Sequence, residues 1–287
     1  MEADTATPRR IVVGVDRSDN AARAAAWAAR EAVDRGASLQ LVHALHLPGA
    51  SAMVYEPPGF TATQRETGAK LLQRHAAALR ELHPDLTVTT ELSELDAPET
   101  LVALSSGAEL VVVGTRGHGG FAGMLLGSVS LKLATHAHSP AVVVRGEDPV
   151  APVQEIVLGV EPNEVQAPIR FAFESAAKLG IPVRAVRAWQ AHPGFGGHAD
   201  STERENRESD EVDALLQDFR REYPDVAVSR SITHGNAVPV LIEAARGSRL
   251  LVVGAHRHHG PLSVGAGYVV HGLLSHAPTP VAVVPVG

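Results

Sequence analysis

The sequence contains no cysteine, and this absence excludes disulfide bonds, thiolate metal sites and cysteine nucleophiles. Aromatic residues make up only 4% of the chain. No uninterrupted run of about 18 apolar residues occurs. The first residues, MEADTATPRR, carry acids and lack the apolar centre of a secretory signal. We therefore expect a soluble, cytoplasmic protein that has no membrane partner.

Basic residues do not predominate either. The formal net charge of −7 argues against a general nucleic-acid-binding protein, because basic surfaces hold long polyanions. A single anionic ligand, bound by a local cluster of backbone N–H groups, is still compatible with this charge. The 45% hydrophobic content indicates a chain that buries a core, and 287 residues have room for two domains.

The chain is an internal repeat of two copies. The segment RIVVGVDRSDN at residues 10–20 corresponds to EIVLGVEPNEV at residues 155–165. Likewise, VVVGTRGHGGFAGMLLGSVS at residues 111–130 corresponds to LVVGAHRHHGPLSVGAGYVV at residues 251–270. Self-similarity on this scale predicts two domains of the same fold.

Each copy alternates short apolar runs with segments of helical periodicity. Continuous Val, Ile and Leu runs are typical of strands buried on both faces of a parallel sheet. We therefore predict an α/β protein with two tandem doubly wound domains, residues 1–147 and 153–287, each with a five-stranded parallel sheet. In the first copy the strands are expected near residues 10–16, 38–45, 86–92, 109–114 and 140–145.

A spaced set of glycines follows the fourth predicted strand. Its first members permit positive φ angles and close approach of the main chain, which favours an anion nest of N–H groups. Gly127 and Ser128 then open a helix, where the N–H groups and the helix dipole favour a phosphate. Arg116 and His118 would add positive charge. Alternatively, the glycines only form turns and Ser128 only caps its helix, but the complete set favours a polyphosphate. The first members are Gly114, Gly117, Gly119 and Gly120.

The spacing Gly, two residues, Gly, nine residues, Gly, Ser resembles that of ATP-binding members of the universal stress protein family. IVVGVD, LVHAL and SPAVVV resemble that family's first, second and fifth strands, so the resemblance covers nearly the whole chain. The tandem form resembles actinobacterial two-domain members. The resemblance implies a Rossmann-like fold of the adenine nucleotide alpha hydrolase-like type, with ATP at the carboxyl ends of the strands. It also implies a magnesium ion held mainly by the phosphates and not by protein side chains.

Carried over residue by residue, the resemblance implies an ATP site in the first copy. Asp16 would contact the ribose, and the main chain near Gly14 and Ala44 would border the adenine. The alternative interpretation of Asp16 is a helix N-cap, but Asp19 or Asn20 is the better cap in DRSDN. The phosphates would be held by Gly114, Thr115, Arg116, Gly117, His118, Gly119, Gly120, Gly127, Ser128 and Val129.

The second copy departs from this pattern. Arg257 replaces Gly117, Tyr268 replaces Ser128 and Glu161 replaces Asp16. An arginine in a glycine-only conformation costs about 1–3 kcal/mol, and a tyrosine would fill the space of a phosphate. Alternatively, Arg257 and its neighbouring histidines, His256, His258 and His259, bind an anion by side chains. We expect a structural or interface role, and solvated histidines in preference to a metal site. The weaker candidate site comprises Gly159, Glu161, Ala188, Gly254, Gly260 and Gly267.

Hydrolytic residues are not evident in the first copy. The lysine that a P-loop has after its glycines is missing from this pattern, since Val129 follows Ser128. No carboxylate is evident as a general base that would activate water. These features favour a nucleotide-binding regulator, and the resemblance implies a role in stress response, dormancy or growth control. The alternatives are a slow ATPase or phosphotransferase, and a dimerisation scaffold without nucleotide. The last strand of each copy is an apolar edge of its sheet and has to be shielded from solvent or from other chains. The resemblance implies that these edge strands pair with each other and that the protein forms a homodimer.

Overall fold

Two compact units, Met1–Val144 and Arg145–Gly287, make up the protein in a computed structural model. No described helix is long and apolar enough to cross a membrane. The domain limits expected from the sequence stay a prediction. The structure describes residues 9–45, 59–117, 126–145, 155–161, 166–190, 201–256 and 267–286.

The first unit is a parallel sheet with helices between successive strands, which confirms the predicted α/β fold. The strand order is β3-β2-β1-β4-β5, and every neighbouring pair is parallel. The strands are β1 (Arg10–Gly14), β2 (Ser38–Ala44), β3 (Val88–Ser93), β4 (Leu110–Gly114) and β5 (Ala141–Val144). The helices are α1 (Asp19–Arg35), α2 (Phe60–Leu82), α3 (Ala97–Ser105) and α4 (Ser128–His136).

The strand order places a switch point between β1 and β4. The chain leaves β1 towards β2, whereas β4 lies on the other side of β1. Apolar side chains cover both faces here, because Val12, Val13, Val111 and Val112 are all fully buried. In β1 and β4, polar side chains are therefore confined to the strand ends. Ligands of such sheets bind at the carboxyl ends of the strands, beside the switch point.

Helix α1 begins after a serine cap. Ser18 has an extended backbone, with φ −84° and ψ 151°, and its side chain accepts a hydrogen bond from the Ala21 N–H. The expectation that Asp19 or Asn20 is the cap was wrong, because both residues already lie in the first turn of the helix. The helix ends at Gly36, whose φ of 61° provides a left-handed C-cap.

The second unit repeats the topology with the strand order β8-β7-β6-β9-β10. Its strands are β6 (Ile156–Gly159), β7 (Val183–Trp189), β8 (Val228–His234), β9 (Leu250–His256) and β10 (Val281–Val286). Its helices are α5 (Gln166–Leu179), α6 (Ser201–Glu222), α7 (Ala237–Ala244) and α8 (Tyr268–His276).

The two copies differ in how far their fourth strands extend. β4 has five residues and ends at Gly114, whereas β9 has seven and continues past Gly254. Ala255 and His256 pair with Pro285 and Val286 of β10. The backbone that turns away after β4 is therefore part of the ladder in the second unit.

A buried charge cluster joins the end of α1 to the start of β4. Arg35 lies 2.6 Å from Glu31, one turn earlier in α1, and 3.0 Å from Glu109. The side chains of Arg35 and Glu31 are 2% and 1% exposed. Charges at this depth have lost their hydration, so each depends on its partner for compensation.

We predict that Arg35→Met lowers the free energy of unfolding by about 3–5 kcal/mol, because the change removes the guanidinium that compensates the buried Glu31 carboxylate. The control is Lys70→Met, since Lys70 pairs with Glu66 and both side chains are more than half exposed. That control should cost less than about 1 kcal/mol. Urea unfolding of the two variants measures both effects, and equal losses would contradict the prediction.

Candidate functional site

The candidate site lies where β1 and β4 end. The two strands run in parallel, with Val13 opposite Val112, so the residues that follow them meet at one edge of the sheet. A Cβ atom added to Gly117 would lie 2.5 Å from Oδ2 of Asp16. The fold therefore brings together Asp16 and Gly117, which the sequence assigned to the ribose and to the phosphates.

The Asp16 carboxylate is held in place by Ser18. Its Oδ1 atom accepts hydrogen bonds from the Ser18 N–H at 2.9 Å and from the Ser18 hydroxyl at 2.6 Å. Asp16 is half-buried and precedes the N-cap by two residues. It thus does not cap α1, and its contact with a ribose stays a prediction.

The start of α1 also holds the loop that follows β4. The carbonyl oxygen of Arg116 accepts a hydrogen bond from Asn20 Nδ2 at 3.1 Å and lies 3.3 Å from the Ser18 hydroxyl oxygen. A Cβ atom on Gly114 would lie 2.8 Å from the backbone carbonyl of Asn20. Glycine at position 114 is therefore required by the close approach of α1.

Gly114 and Gly117 do not use the positive φ angles that glycine permits. In the described residues, positive φ occurs elsewhere, at Gly36, Gly59, Gly180, Gly235 and Gly247. The physical requirement for glycine at positions 114 and 117 is space beside Asn20 and Asp16. Because Gly117 does not adopt a glycine-only conformation, its backbone gives no reason to expect strain when an arginine takes its position.

Helix α4 begins at the same edge of the sheet. Its N-cap, Gly127, donates its N–H to the carbonyl oxygen of Thr115 at 2.8 Å. A glycine cap provides no side chain, so no side chain of the cap bonds to the first-turn N–H groups. Ser128 is exposed and Val129 half-buried at this end of the helix.

Ser130 fixes this turn of α4 to the end of β4. Its buried hydroxyl donates a hydrogen bond to the carbonyl oxygen of Gly114 at 2.8 Å and lies 3.3 Å from that of Thr115. The sequence reasoning missed Ser130, whose signal would have been a small hydroxyl residue at a buried helical position. Ser18 and Asn20 were missed as supports of the loop for lack of any local signal.

The predicted adenine border lies at the ends of β1 and β2. Gly14 is the last residue of β1, and Ala44 is the last residue of β2 and is half-buried. A Cβ atom on Gly14 would lie 2.8 Å from Leu101 Cδ1, so the packing of α3 explains this glycine. His43 Nδ1 is hydrogen-bonded to the carbonyl oxygen of Val15 at 2.8 Å, so its side chain joins β2 to the residue that follows β1.

His75 of α2 is a titratable neighbour of Asp16 that the sequence reasoning missed. Burial is the largest influence on its imidazole and lowers its pKa below the ordinary value of 6.5. A hydrogen bond with the Asp16 backbone opposes this shift, and so does the charge of Asp16. The charges of Arg74 and His43 lower the pKa further.

We predict that acidification destabilises the first unit partly through His75. Because the pKa of His75 is lower in the folded chain, the unfolded chain takes up this proton more readily, and stability falls as the pH drops below 6.5 towards the folded value. His75→Gln should reduce this loss. Urea unfolding at about pH 7.5 and about pH 5.5 measures it, and identical losses in both proteins would contradict the prediction.

The second unit places its candidate residues differently. A Cβ atom on Gly159 would contact Leu241 and Val253, which repeats the packing around Gly14. Glu161 is exposed after β6, and Ala188 lies within β7. Gly254 lies inside β9, where its neighbours are paired with β10. The strand end corresponding to Gly114 is therefore not a turn.

Among the described residues, the start of α8 has fewer close neighbours than the start of α4. Gly267 is the N-cap, but a Cβ atom on it would meet no described atom within 4 Å. Val270 stands where Ser130 stands in the first copy, and Tyr268 is 81% exposed. Seven residues that the sequence analysis named for the two candidate sites lie outside the residues that the structure describes: His118, Gly119, Gly120, Arg257, His258, His259 and Gly260.

Comparisons with known proteins agree with this architecture. The model of the universal stress protein family matches residues 7–145 and 152–285. A universal stress protein of Mycolicibacterium smegmatis is 33% identical over 98% of each chain. One of Mycobacterium tuberculosis is 32% identical over 95% of each chain. The crystal structure of a universal stress protein from Archaeoglobus fulgidus has a TM-score of 0.72 at 13% identity, covering 97% of this chain and 98% of that one, and supports the fold.

Proposed function

The chain belongs to the universal stress protein family, and from this premise we propose that its first unit binds an adenine nucleotide, with ATP as the ligand. We further propose that the protein is a nucleotide-dependent regulator of stress response, dormancy or growth, not a hydrolytic enzyme. The observation that carries the proposal is the space beside Asp16 that a Cβ atom on Gly117 would fill.

The ribose end of the nucleotide fits Asp16. A carboxylate accepts hydrogen bonds only, and the two ribose hydroxyls are donors. Because Ser18 already fixes Oδ1 by two hydrogen bonds, the carboxylate is oriented before the ligand arrives. Preorganisation of this kind reduces the entropy lost on binding.

The phosphates fit between Gly117 and the start of α4. Gly117 leaves the loop backbone uncovered, and α4 offers the positive end of its dipole with a cap that lacks a side chain. The N–H groups of Ser128 and Val129 and the Ser128 hydroxyl are suitable donors. A magnesium ion would be held chiefly by the phosphates, which is its usual mode with nucleotides.

Binding without turnover suits the chemistry of these residues. Val129 stands after Ser128, where it offers no catalytic group. The carbonyl oxygen of Thr115 already accepts a hydrogen bond from the Gly127 N–H, so it is engaged in structure. Asp16 is committed to the ribose in this proposal and is tied to Ser18. Nucleotide occupancy would then act by favouring one conformation or assembly over another.

We predict that Gly117→Ala weakens nucleotide binding by about tenfold or more, because the new methyl group displaces the Asp16 carboxylate. Gly127→Ala should act in the same direction, since its Cβ atom would lie 3.3 Å from the Thr115 carbonyl oxygen. Mass spectrometry of ligand released from the denatured proteins identifies and quantifies the nucleotide.

The matched control for these variants is Gly267→Ala. It makes the same change at the N-cap of α8, where a Cβ atom meets no atom of the part of the chain that the structure describes within 4 Å. This variant should retain as much nucleotide as the wild type. Equal retention by the Gly117, Gly127 and Gly267 variants would overturn the proposed site, and absence of nucleotide from the wild type would favour a scaffold.

We predict one nucleotide per chain, because β9 continues through the positions that correspond to the loop after β4. Calorimetric titration of nucleotide-free protein measures the stoichiometry. A value near two per chain would contradict the distinction between the units.

We also expect no phosphate release above background when the protein is incubated with ATP and magnesium. A sensitive phosphate assay on the wild type and on Asp16→Ala tests this expectation. Release that disappears in Asp16→Ala would favour a slow ATPase or phosphotransferase instead.

A further inference from the structure

Arg23 is an exposed residue of α1, the fifth of the helix, and it directly follows the first turn that borders the candidate site. Its Nη2 donates a hydrogen bond to Oδ1 of Asn20 at 2.6 Å. Some arginines of the described residues pair with carboxylates, as Arg65 does with Glu94, and others donate to backbone carbonyl oxygens, as Arg80 does to that of Val88. Arg23 is held by a neutral side-chain amide and has no carboxylate partner among the described residues, so its charge is oriented without being neutralised.

Asn20 connects this cation to the loop that follows β4. While its Oδ1 accepts from Arg23, its Nδ2 donates to the carbonyl oxygen of Arg116 at 3.1 Å. The two hydrogen bonds and the width of one amide group place the Arg23 guanidinium within about 8 Å of that carbonyl oxygen. An arginine is therefore fixed beside the residue that precedes Gly117.

The position of Asn20 is itself tightly defined. Its backbone packs so closely on β4 that Gly114 has no room for a Cβ atom. The amide bridge thus lies on a rigid contact between α1 and the sheet. In the second unit, Pro168 of α5 stands where Arg23 stands in the first, so that unit has no corresponding cation.

Resting on the proposed nucleotide site, we propose that Arg23, oriented by Asn20, gives the site its preference for nucleotides with more phosphates. The protein carries a net charge of −7, which disfavours a polyanionic ligand unless a local cation offsets it. A guanidinium binds phosphate oxygens through paired N–H donors, and each added phosphate increases this attraction. Arg23 does not contribute to the binding of the base or the ribose.

Calorimetric titration with adenosine, AMP, ADP and ATP tests the proposal on the wild type, Arg23→Ala and Arg23→Lys. The control is Arg65→Ala, which removes one positive charge from an exposed pair in the same unit. We expect Arg23→Ala to weaken ATP binding by about tenfold and AMP binding by less than about twofold. Arg23→Lys should recover part of the preference for ATP, and Arg65→Ala should leave the ratio of ATP to AMP affinity unchanged.

Each contrary result identifies what has failed. If the wild type binds neither AMP nor ATP, the proposed nucleotide site is overturned. If the wild type binds both and Arg23→Ala keeps the wild-type ratio of affinities, the role of Arg23 is overturned while the site stands. If Arg65→Ala lowers the ratio of ATP to AMP affinity as much as Arg23→Ala does, the preference arises from net charge. That result would also overturn the role of Arg23.

Discussion

The close contact between the end of β4 and the first turn of α1 is the constraint on which the candidate site depends. Gly114 permits this contact because a side chain there would collide with the Asn20 backbone. Once α1 is this near, Asn20 and Ser18 reach the Arg116 carbonyl oxygen. The loop after β4 is thereby held from one side by α1, while Gly127 holds it from the α4 side through Thr115.

The two units show how the same topology yields different strand ends. Every backbone N–H and C=O group needs a partner, either in the ladder or elsewhere. After β4 the carbonyl groups of Thr115 and Arg116 bond to helix termini and side chains. In β9 the corresponding residues, Ala255 and His256, remain in the ladder with β10. A backbone that is committed to a ladder is not available to enclose phosphates, which is the physical distinction between the two copies.

Charge is distributed in the first unit so that the buried structural pair lies apart from the charged residues of the proposed site. The buried pair of Arg35 and Glu31 compensates itself near the amino end of β4, far along α1 from the site. At the opposite end of α1, Asp16 is fixed by Ser18, and Arg23 is held by an amide. An oriented acceptor and an oriented cation at the same helix end suit a ligand with both hydroxyl donors and phosphate oxygens.

The sequence alone determined the repeat and the α/β class, and it predicted the edge of the sheet that carries the candidate site. These follow from patterns within single elements: buried Val and Ile runs, helical periodicity, and glycines at a fixed spacing after a strand. Only the tertiary structure decided why Gly117 and Gly114 are glycines, because their neighbours Asp16 and Asn20 are distant in the chain. It also decided that Ser130 joins α4 to β4. Local periodicity carries no record of such contacts, since they arise only when separate strands and helices pack at one edge.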